Sequence, residues 1–384
     1  MAMVDLDILL VSDPRFTGGT SAALLADVAA FRALDLRVGL MAVDSGFFAR
    51  SGEPPNPAVL ALFDAGVVPV PDGQSVRAQS AFFHHPMAFR AGLREGLDLR
   101  AGTAVLVAHH PCFRGDGSLE YNPVGTAGVI RRQFGVTPVF APVSGVVRQQ
   151  LASFAPLIRL TAENWINVFD VESWTPRRPV FSDAVPVVGR HGRPDALKWP
   201  DRPEDVVAPL TPGPDWRTRL MGVPERDLAA LGVDLTPFEV VGFGEEPVPQ
   251  FLDSLDVFAF FHHARWVEAF GRTVAEAMLM ARPCVLDRRM QPTFGPLAYY
   301  CRPAEAPALM ERLRAAPLAT RARAERVREV VRLRYSAASV AGRLARLEAG
   351  RGRAFDVGPR AQRPHVVLRK VLGLMRRSRA ATPV

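Results

Sequence analysis

Residues 6–11 (LDILLV) form a short apolar run between Asp5 and the Ser12-Asp13-Pro14 stop. A glycine turn, Thr17-Gly18-Gly19-Thr20, follows at once and leads into SAALLADVAAFRAL, whose apolar positions recur at helical spacing. Residues 36–43 (LRVGLMAV) read as the next strand. A strand with hardly any polar position must be buried on both faces, and a parallel sheet covered by helices is the arrangement that buries it. This strand, turn, helix and strand unit therefore constrains the chain to an α/β architecture.

The alternation continues through apolar runs at 104–108 (AVLVA), 138–142 (PVFAP) and 157–160, so a first doubly wound domain is expected over about 1–180. Residues 172–186, ESWTPRRPVFSDAVP, have turn-forming composition and no periodicity, which suits a linker. A second series follows, with strands expected at 185–188, 206–210, 238–241, 256–261 and 283–286 and a helix over 273–281. The Arg- and Ala-rich stretch 307–347 reads as amphipathic helices broken at Pro317 and closes a second domain over 181–350. Two such halves facing one another would make a cleft.

Charge excludes one class of function. The 384 residues carry 47 basic and 39 acidic side chains, but nine of the basic ones lie within 351–384 with Asp356 as the sole acid there. The body before that tail balances at 38 of each sign, so it lacks the basic excess that phosphate tracking needs, and nucleic acid is not an expected partner. The tail interleaves Val366, Val367, Leu368, Val371, Leu372, Leu374 and Met375 with basic residues, a pattern suited to an anionic membrane surface, with a disordered solubilising tail as the alternative. The three cysteines are widely spaced, the N-terminus is acidic rather than basic, and no run is long enough to span a bilayer. The expected location is the cytosol, with peripheral membrane attachment open.

In open parallel sheets ligands bind beyond the carboxyl ends of strands, and five such places carry suggestive residues. Gly18 and Gly19 allow close backbone approach ahead of a helix N-terminus. The nearby Asp5-Leu6-Asp7 resembles a metal-binding pair but lies at the amino end of its strand. His109 and His110 follow the run 104–108; adjacent residues point to opposite sides, so one of them is expected to face a ligand. The loop 189–200, GRHGRPDALKWP, holds Arg190 and Lys198. With 45 Arg and only Lys198 and Lys370 as lysines, an ammonium here is not the default cation, and a fork plus a point charge suits a diphosphate. Glu268-Ala269-Phe270-Gly271-Arg272-Thr273-Val274-Ala275-Glu276 places two carboxylates across a loop-to-helix junction. Thr273 and Glu276 also satisfy a capping box, a structural explanation for Glu276 that leaves Glu268 and Gly271 unexplained. His262 and His263 have no third ligand nearby in sequence, so a zinc site is not expected there.

EAFGRTVAEAM and GRHGRPDALKWP are similar to the two signatures of GT-B glycosyltransferases of the retaining family 4 type: the paired glutamates, and the arginine and lysine loop. The resemblance covers about residues 4–345 and implies two Rossmann-like domains facing across a cleft, the nucleotide-sugar site in the second. It implies that Arg190 and Lys198 neutralise the donor diphosphate, that Glu268 contacts the transferred sugar and that Glu276 holds the ribose. Phe270, Gly271, Arg272 and Thr273 would line the phosphate-facing junction, Gly242 in Val241-Gly242-Phe243-Gly244 the base. Gly18 and Gly19 would approach the phosphate from the first domain, with His109 or, by its place before Pro111, His110 facing the sugar. The implied reaction is metal-free transfer with retention from a UDP-, GDP- or similar sugar to an unidentified acceptor, without a further cofactor. A GT-B epimerase or a silent nucleotide binder is the alternative; a phosphorylase would need a Schiff-base lysine, and neither lysine is available for that. Arg282 and Cys284 depart from the family's usual Gly and Val around Pro283.

Overall fold

The computed structural model describes residues 2–49, 51–155, 157–210 and 215–350, with seven helical positions between 365 and 376. The proposed membrane segment of 351–384 otherwise lies outside the described residues. No described helix is long and apolar enough to cross a membrane. The chain divides into two compact units: 1–169 together with 337–384, and 170–336.

In the first unit six strands, β1 (Val4–Ser12), β2 (Val38–Ala42), β3 (Val68–Pro69), β4 (Ser75–His84), β5 (Asp98–Ala108) and β6 (Val139–Pro142), pair in the order β3-β2-β1-β4-β5-β6. All are parallel. Residues Ile8 to Ser12 of β1 are buried without interruption, as a strand flanked by β2 and β4 and covered on both faces requires. Helix Pro123–Phe134 shows how local sequence sets the boundaries. Asn122 caps its start through the Gly125 N–H at 3.0 Å, Pro123 fills the first position, and Gly135 ends it in the left-handed region at φ 69°.

The second unit repeats the plan. Its strands β7 (Val187–His191), β8 (Arg217–Met221), β9 (Glu239–Val241), β10 (Val257–Phe260), β11 (Cys284–Asp287) and β12 (Tyr299–Cys301) pair in the order β12-β11-β10-β7-β8-β9, again all parallel. Counted from its own first strand, each sheet runs 3-2-1-4-5-6, the dinucleotide-fold order. The order reverses between β1 and β4 in one sheet and between β7 and β10 in the other, which fixes where a crevice opens at the carboxyl edge. Buried Asp256 secures the start of β7, accepting from the Val187 N–H at 2.7 Å and from Arg178 Nη1 at 3.0 Å.

Several expectations need correction. Residues 206–210, read as a strand, instead close the helix Pro203–Val207 and form a 3-10 turn, because Pro203 starts a helix and Pro209 removes a ladder donor. The strand lies at β8, whose alternating RTRLM hid it. Residues 157–160 give only an isolated bridge from Leu160 to Phe140. β4 went unread because its first half is polar. The boundary between units falls at 169 rather than 180. Three helices, Ala306–Ala315, Pro317–Tyr335 and Ser339–Ala349, occupy the Arg- and Ala-rich stretch, with Pro317 at the second one's first position. The last belongs to the first unit, where Arg343 donates to the Ile166 carbonyl at 2.6 Å and Ser80 to Glu348 at 3.0 Å. Arg282, the departure beside Pro283, is 2% exposed and donates to the carbonyls of Met280, Leu255 and Arg178, so it braces the second unit internally.

Gly222, just after β8, sits at φ 71°, and a Cβ there would lie 1.9 Å from the Gly192 carbonyl oxygen. Gly222→Ala is expected to lower the stability of the second unit by about 2–4 kcal/mol, read from the denaturant midpoint.

Candidate active site

The carboxyl edge of β7 and β10 gathers most of the second unit's functional candidates. Arg190, on β7, is buried at 5% exposure and its fork is committed: Nη1 donates to the Phe261 carbonyl at 2.9 Å and Nη2 to the Lys198 carbonyl at 2.6 Å. Its guanidinium lies 4.0 Å from the Trp199 ring centroid and 4.5 Å from that of Phe260. Burial lowers its pKa to about 9 despite the nearby Glu268 carboxylate, which acts to raise it, and at neutral pH it remains a cation. The side chain expected to neutralise a diphosphate directly thus joins the end of β10 to the Lys198 loop. Lys198 itself ends the single 3-10 turn Ala196–Lys198, which Asp195 caps through the Leu197 N–H at 3.0 Å. Its ammonium is half-buried and close enough to bias Glu268, Glu276 and His191.

Helix Arg272–Leu279 begins at Gly271, which adopts φ 83° and forms the cap with no side-chain bond. A Cβ at Gly271 would approach Met290 to 2.9 Å, so both its φ and its packing demand glycine. Thr273 is therefore already inside the helix, and the capping-box explanation for Glu276 falls. The first N–H groups of a helix have no intrahelical partner, which makes this terminus receptive to an anion. Glu276 instead points its Oε2 to within 3.4 Å of His191 Nε2, with Arg272 Nε 3.9 Å from its Oε1. Burial raises the Glu276 pKa to about 7, against the pull of Arg272 and Lys198.

Glu268 behaves oppositely. Burial alone would raise its pKa, but the Lys198 charge, the Trp266 indole N–H at 3.1 Å, His262 and the Gly271 N–H together hold it below the usual carboxylate range. His262 is held down to about 4, chiefly by burial and then by Arg289, whose guanidinium donates to the His262 carbonyl at 2.8 Å and the His263 carbonyl at 3.1 Å. Phe270, expected at the ligand, is core instead: it is 4% exposed, with Tyr335 at 5.6 Å and Phe294 at 6.3 Å between centroids.

A second group lies along β7, β8 and β9. Each strand is followed by a glycine: Gly192 donates to the Met221 carbonyl at 3.2 Å, Gly222 to that of Val241 at 3.1 Å, and Gly242 to Glu245 Oε2 at 2.9 Å. Phe243, 56% exposed, stands beside this glycine shelf, its ring 3.1 Å from where a Gly222 Cβ would be. Of these the sequence reading singled out Gly242 and its loop; the recurrence of glycine after three successive strands is the signal that finds Gly222.

The first unit has its own crest. Gly18, at φ 63° and ψ −131°, precedes the helix Gly19–Arg32 and caps it without a side-chain bond. Beside it the buried Asp13 carboxylate accepts from Arg15, Ser45 Oγ and the Ser45 N–H; burial would raise its pKa, and these bonds hold it below the ordinary value. Phe16 packs against His85 with the rings tilted by 36° and centroids 4.2 Å apart, and His85 is a non-glycine residue at φ 69°. His109 turns inward, its Nε2 3.1 Å from His84 Nδ1, while His84 Nε2 lies 3.8 Å from buried Asp27, which accepts the Trp165 indole N–H at 3.0 Å. His110 turns toward Glu120, 3.7 Å away. His84, His85 and Asp27 escaped the sequence reading, although a second His pair at a strand end was visible. Asp5 pairs with Arg77 and Asp7 accepts from the Arg37 N–H, at the opposite edge of the sheet. Among the described residues no cluster of His, Cys, Asp and Glu could hold a metal ion.

No protein-family model matches the sequence, and no curated protein sequence does. Solved structures do match. Anabaena HepE in complex with UDP-glucose aligns at TM-score 0.61 and 15% identity, over 90% of this chain and 100% of that one. A glycosyltransferase from Rickettsia africae gives 0.57 at 12%, covering 91% and 98%. AviGT4, a glycosyltransferase involved in avilamycin A biosynthesis, gives 0.53 at 15%, covering 90% and 98%. The chain has the GT-B fold. Within this GT-B chain, the strand-order reversal of the second sheet is where Lys198, Glu268, Gly271 and Glu276 collect.

Arg190→Ala is expected to orphan two carbonyls and cost about 3 kcal/mol of stability, more than Lys198→Ala, which removes a counter-charge from Glu268 but no hydrogen bond that braces a strand end; thermal unfolding of both variants checks this. Glu276 has a further consequence. Its native pKa of about 7 exceeds the ordinary 4.5, so the folded state binds the extra proton and its stabilising effect is complete below about pH 4.5. That effect is lost as pH rises through 7, and Glu276→Gln should flatten this part of the stability profile.

Proposed function

We propose that this GT-B protein is a glycosyltransferase that moves a sugar from a nucleoside diphosphate sugar to an acceptor, with retention and without a metal. The observation that carries the reading is the convergence, at one sheet edge, of one lysine, two carboxylates in opposite electrostatic settings and the N-terminus of helix Arg272–Leu279. The match to HepE, solved with UDP-glucose, supports a sugar-nucleotide donor.

Transfer develops positive character on the sugar ring and negative charge on the departing diphosphate. Lys198 and the backbone N–H groups after Gly271 stabilise that departing charge, at about 3–4 kcal/mol for each preorganised donor. Arg190 holds the Lys198 loop in place through its carbonyl. Glu268, kept ionised, accepts from sugar hydroxyls and stands ready for the cationic ring. Glu276 accepts from the ribose, and the loop at Gly242 receives the base. Front-face departure and attack on the same side gives retention, with no protein nucleophile.

Thermal shift against UDP, GDP and ADP identifies the base, since a ligand that binds only the native state raises its melting temperature. Release of nucleoside diphosphate should then depend on acceptor and persist in EDTA. Lys198→Ala and Glu276→Ala should each lower transfer at least about a hundredfold. Release without acceptor would indicate an epimerase, binding without turnover a silent binder, and a strict metal requirement would overturn the mechanism.

A further inference from the structure

His191 closes β7, and its imidazole is unused by the reaction just described. The residue is 4% exposed and wedged against Phe251 and Phe258, with ring centroids 6.3 and 5.8 Å away. Its Nε2 is buried without a hydrogen-bond partner. The carboxylate oxygen nearest Nε2 is Oε2 of Glu276, at 3.4 Å, and the backbone of Thr273, one turn earlier on the same helix, also interacts with the ring. A buried ring nitrogen is costly when left unmatched, and the two phenyl rings keep the imidazole from turning elsewhere.

We infer that His191 is a positioning residue for Glu276: the two share a proton between Nε2 and Oε2, which fixes the carboxyl plane and leaves Oε1 for a vicinal diol, the chemistry of a ribose. The inference rests on the sugar-nucleotide reading of this site. The charged groups around the pair are Lys198 and Arg190 from the β7 side and Arg272 from the helix that carries Glu276; the helix Val248–Asp253 and β10 present phenyl rings. Burial, Lys198 and Arg190 hold His191 neutral, down to about 3, while burial lifts Glu276 to about 7. The proton gained near neutrality therefore resides on the pair's carboxyl side. Diol hydroxyls donate more strongly to a carboxylate than to a carboxylic acid, so nucleotide affinity should rise as pH passes upward through 7.

Calorimetric titration of UDP, GDP and ADP into the full-length protein tests this. His191→Leu should weaken the preferred nucleotide by about tenfold and move the pH midpoint upward, while His191→Gln, which keeps an amide donor, restores most of the affinity. The matching 2′,3′-dideoxynucleotide should bind the wild type and His191→Leu alike. Adding His191→Leu to Glu276→Gln should cost nothing further. Equal loss for the dideoxynucleotide, or an unchanged affinity and pH profile in His191→Leu, would overturn the inference while leaving the donor reading intact. Failure of the wild type to bind any of the three nucleotides would overturn the donor reading and the inference with it.

Discussion

The candidate site of the second unit depends on one buried cation. Arg190 sits where β7 and β10 diverge, and its two donated hydrogen bonds reach the carbonyl that ends β10 and the carbonyl of Lys198. Trp199 and Phe260 lie against the guanidinium, replacing some of the hydration lost on burial. Everything chemically active nearby takes its position from this staple: the lysine loop on one side, the His262 turn on the other. A lysine could not substitute, because a single ammonium lacks the planar fork that spans two carbonyls and two aromatic faces.

Around that staple, two glutamates eight residues apart acquire opposite character. Glu268 gathers a cation, an indole N–H and a backbone N–H, and stays ionised. Glu276 is buried beside a neutral imidazole and is poised to take up a proton near neutrality. Similar side chains in dissimilar surroundings are a recognised way to divide labour in an active site. Here the division follows from which strand end faces each carboxyl. In the first unit His84 is buried and held neutral, with His109 turned onto it, while the half-buried His110 turns toward Glu120.

The α/β plan was legible because strands buried on both faces leave unbroken apolar runs, as at residues 8–11, and because glycine follows them where helices begin. Strands with an exposed edge or polar opening were not: β4 starts SVRAQ and β8 reads RTRLM, neither of which departs clearly from a loop. The return of helix Ser339–Ala349 to the first unit left no local trace, since an amphipathic helix does not name the surface it covers. Residue type and spacing single out Lys198, Glu268, Glu276 and Gly271, and the structure brings them to one sheet edge. Arg190 and Phe270 are also singled out by position, but both side chains are buried, which neither spacing nor composition reveals.

By itself, then, the sequence determined the alternation, the number of domains, the confinement of excess charge to 351–384 and the residue types that gather at one edge of the second sheet. These are properties of composition and local period, and they survive without knowledge of neighbours. Tertiary structure alone decided that Arg190 braces two carbonyls, that Gly271 and not Thr273 caps the helix, and that His191 meets Glu276. The bond from Arg190 to Phe261 and the meeting of His191 with Glu276 depend on atoms far apart in the chain and within about 4 Å in space, the range over which hydrogen bonds and close electrostatics act.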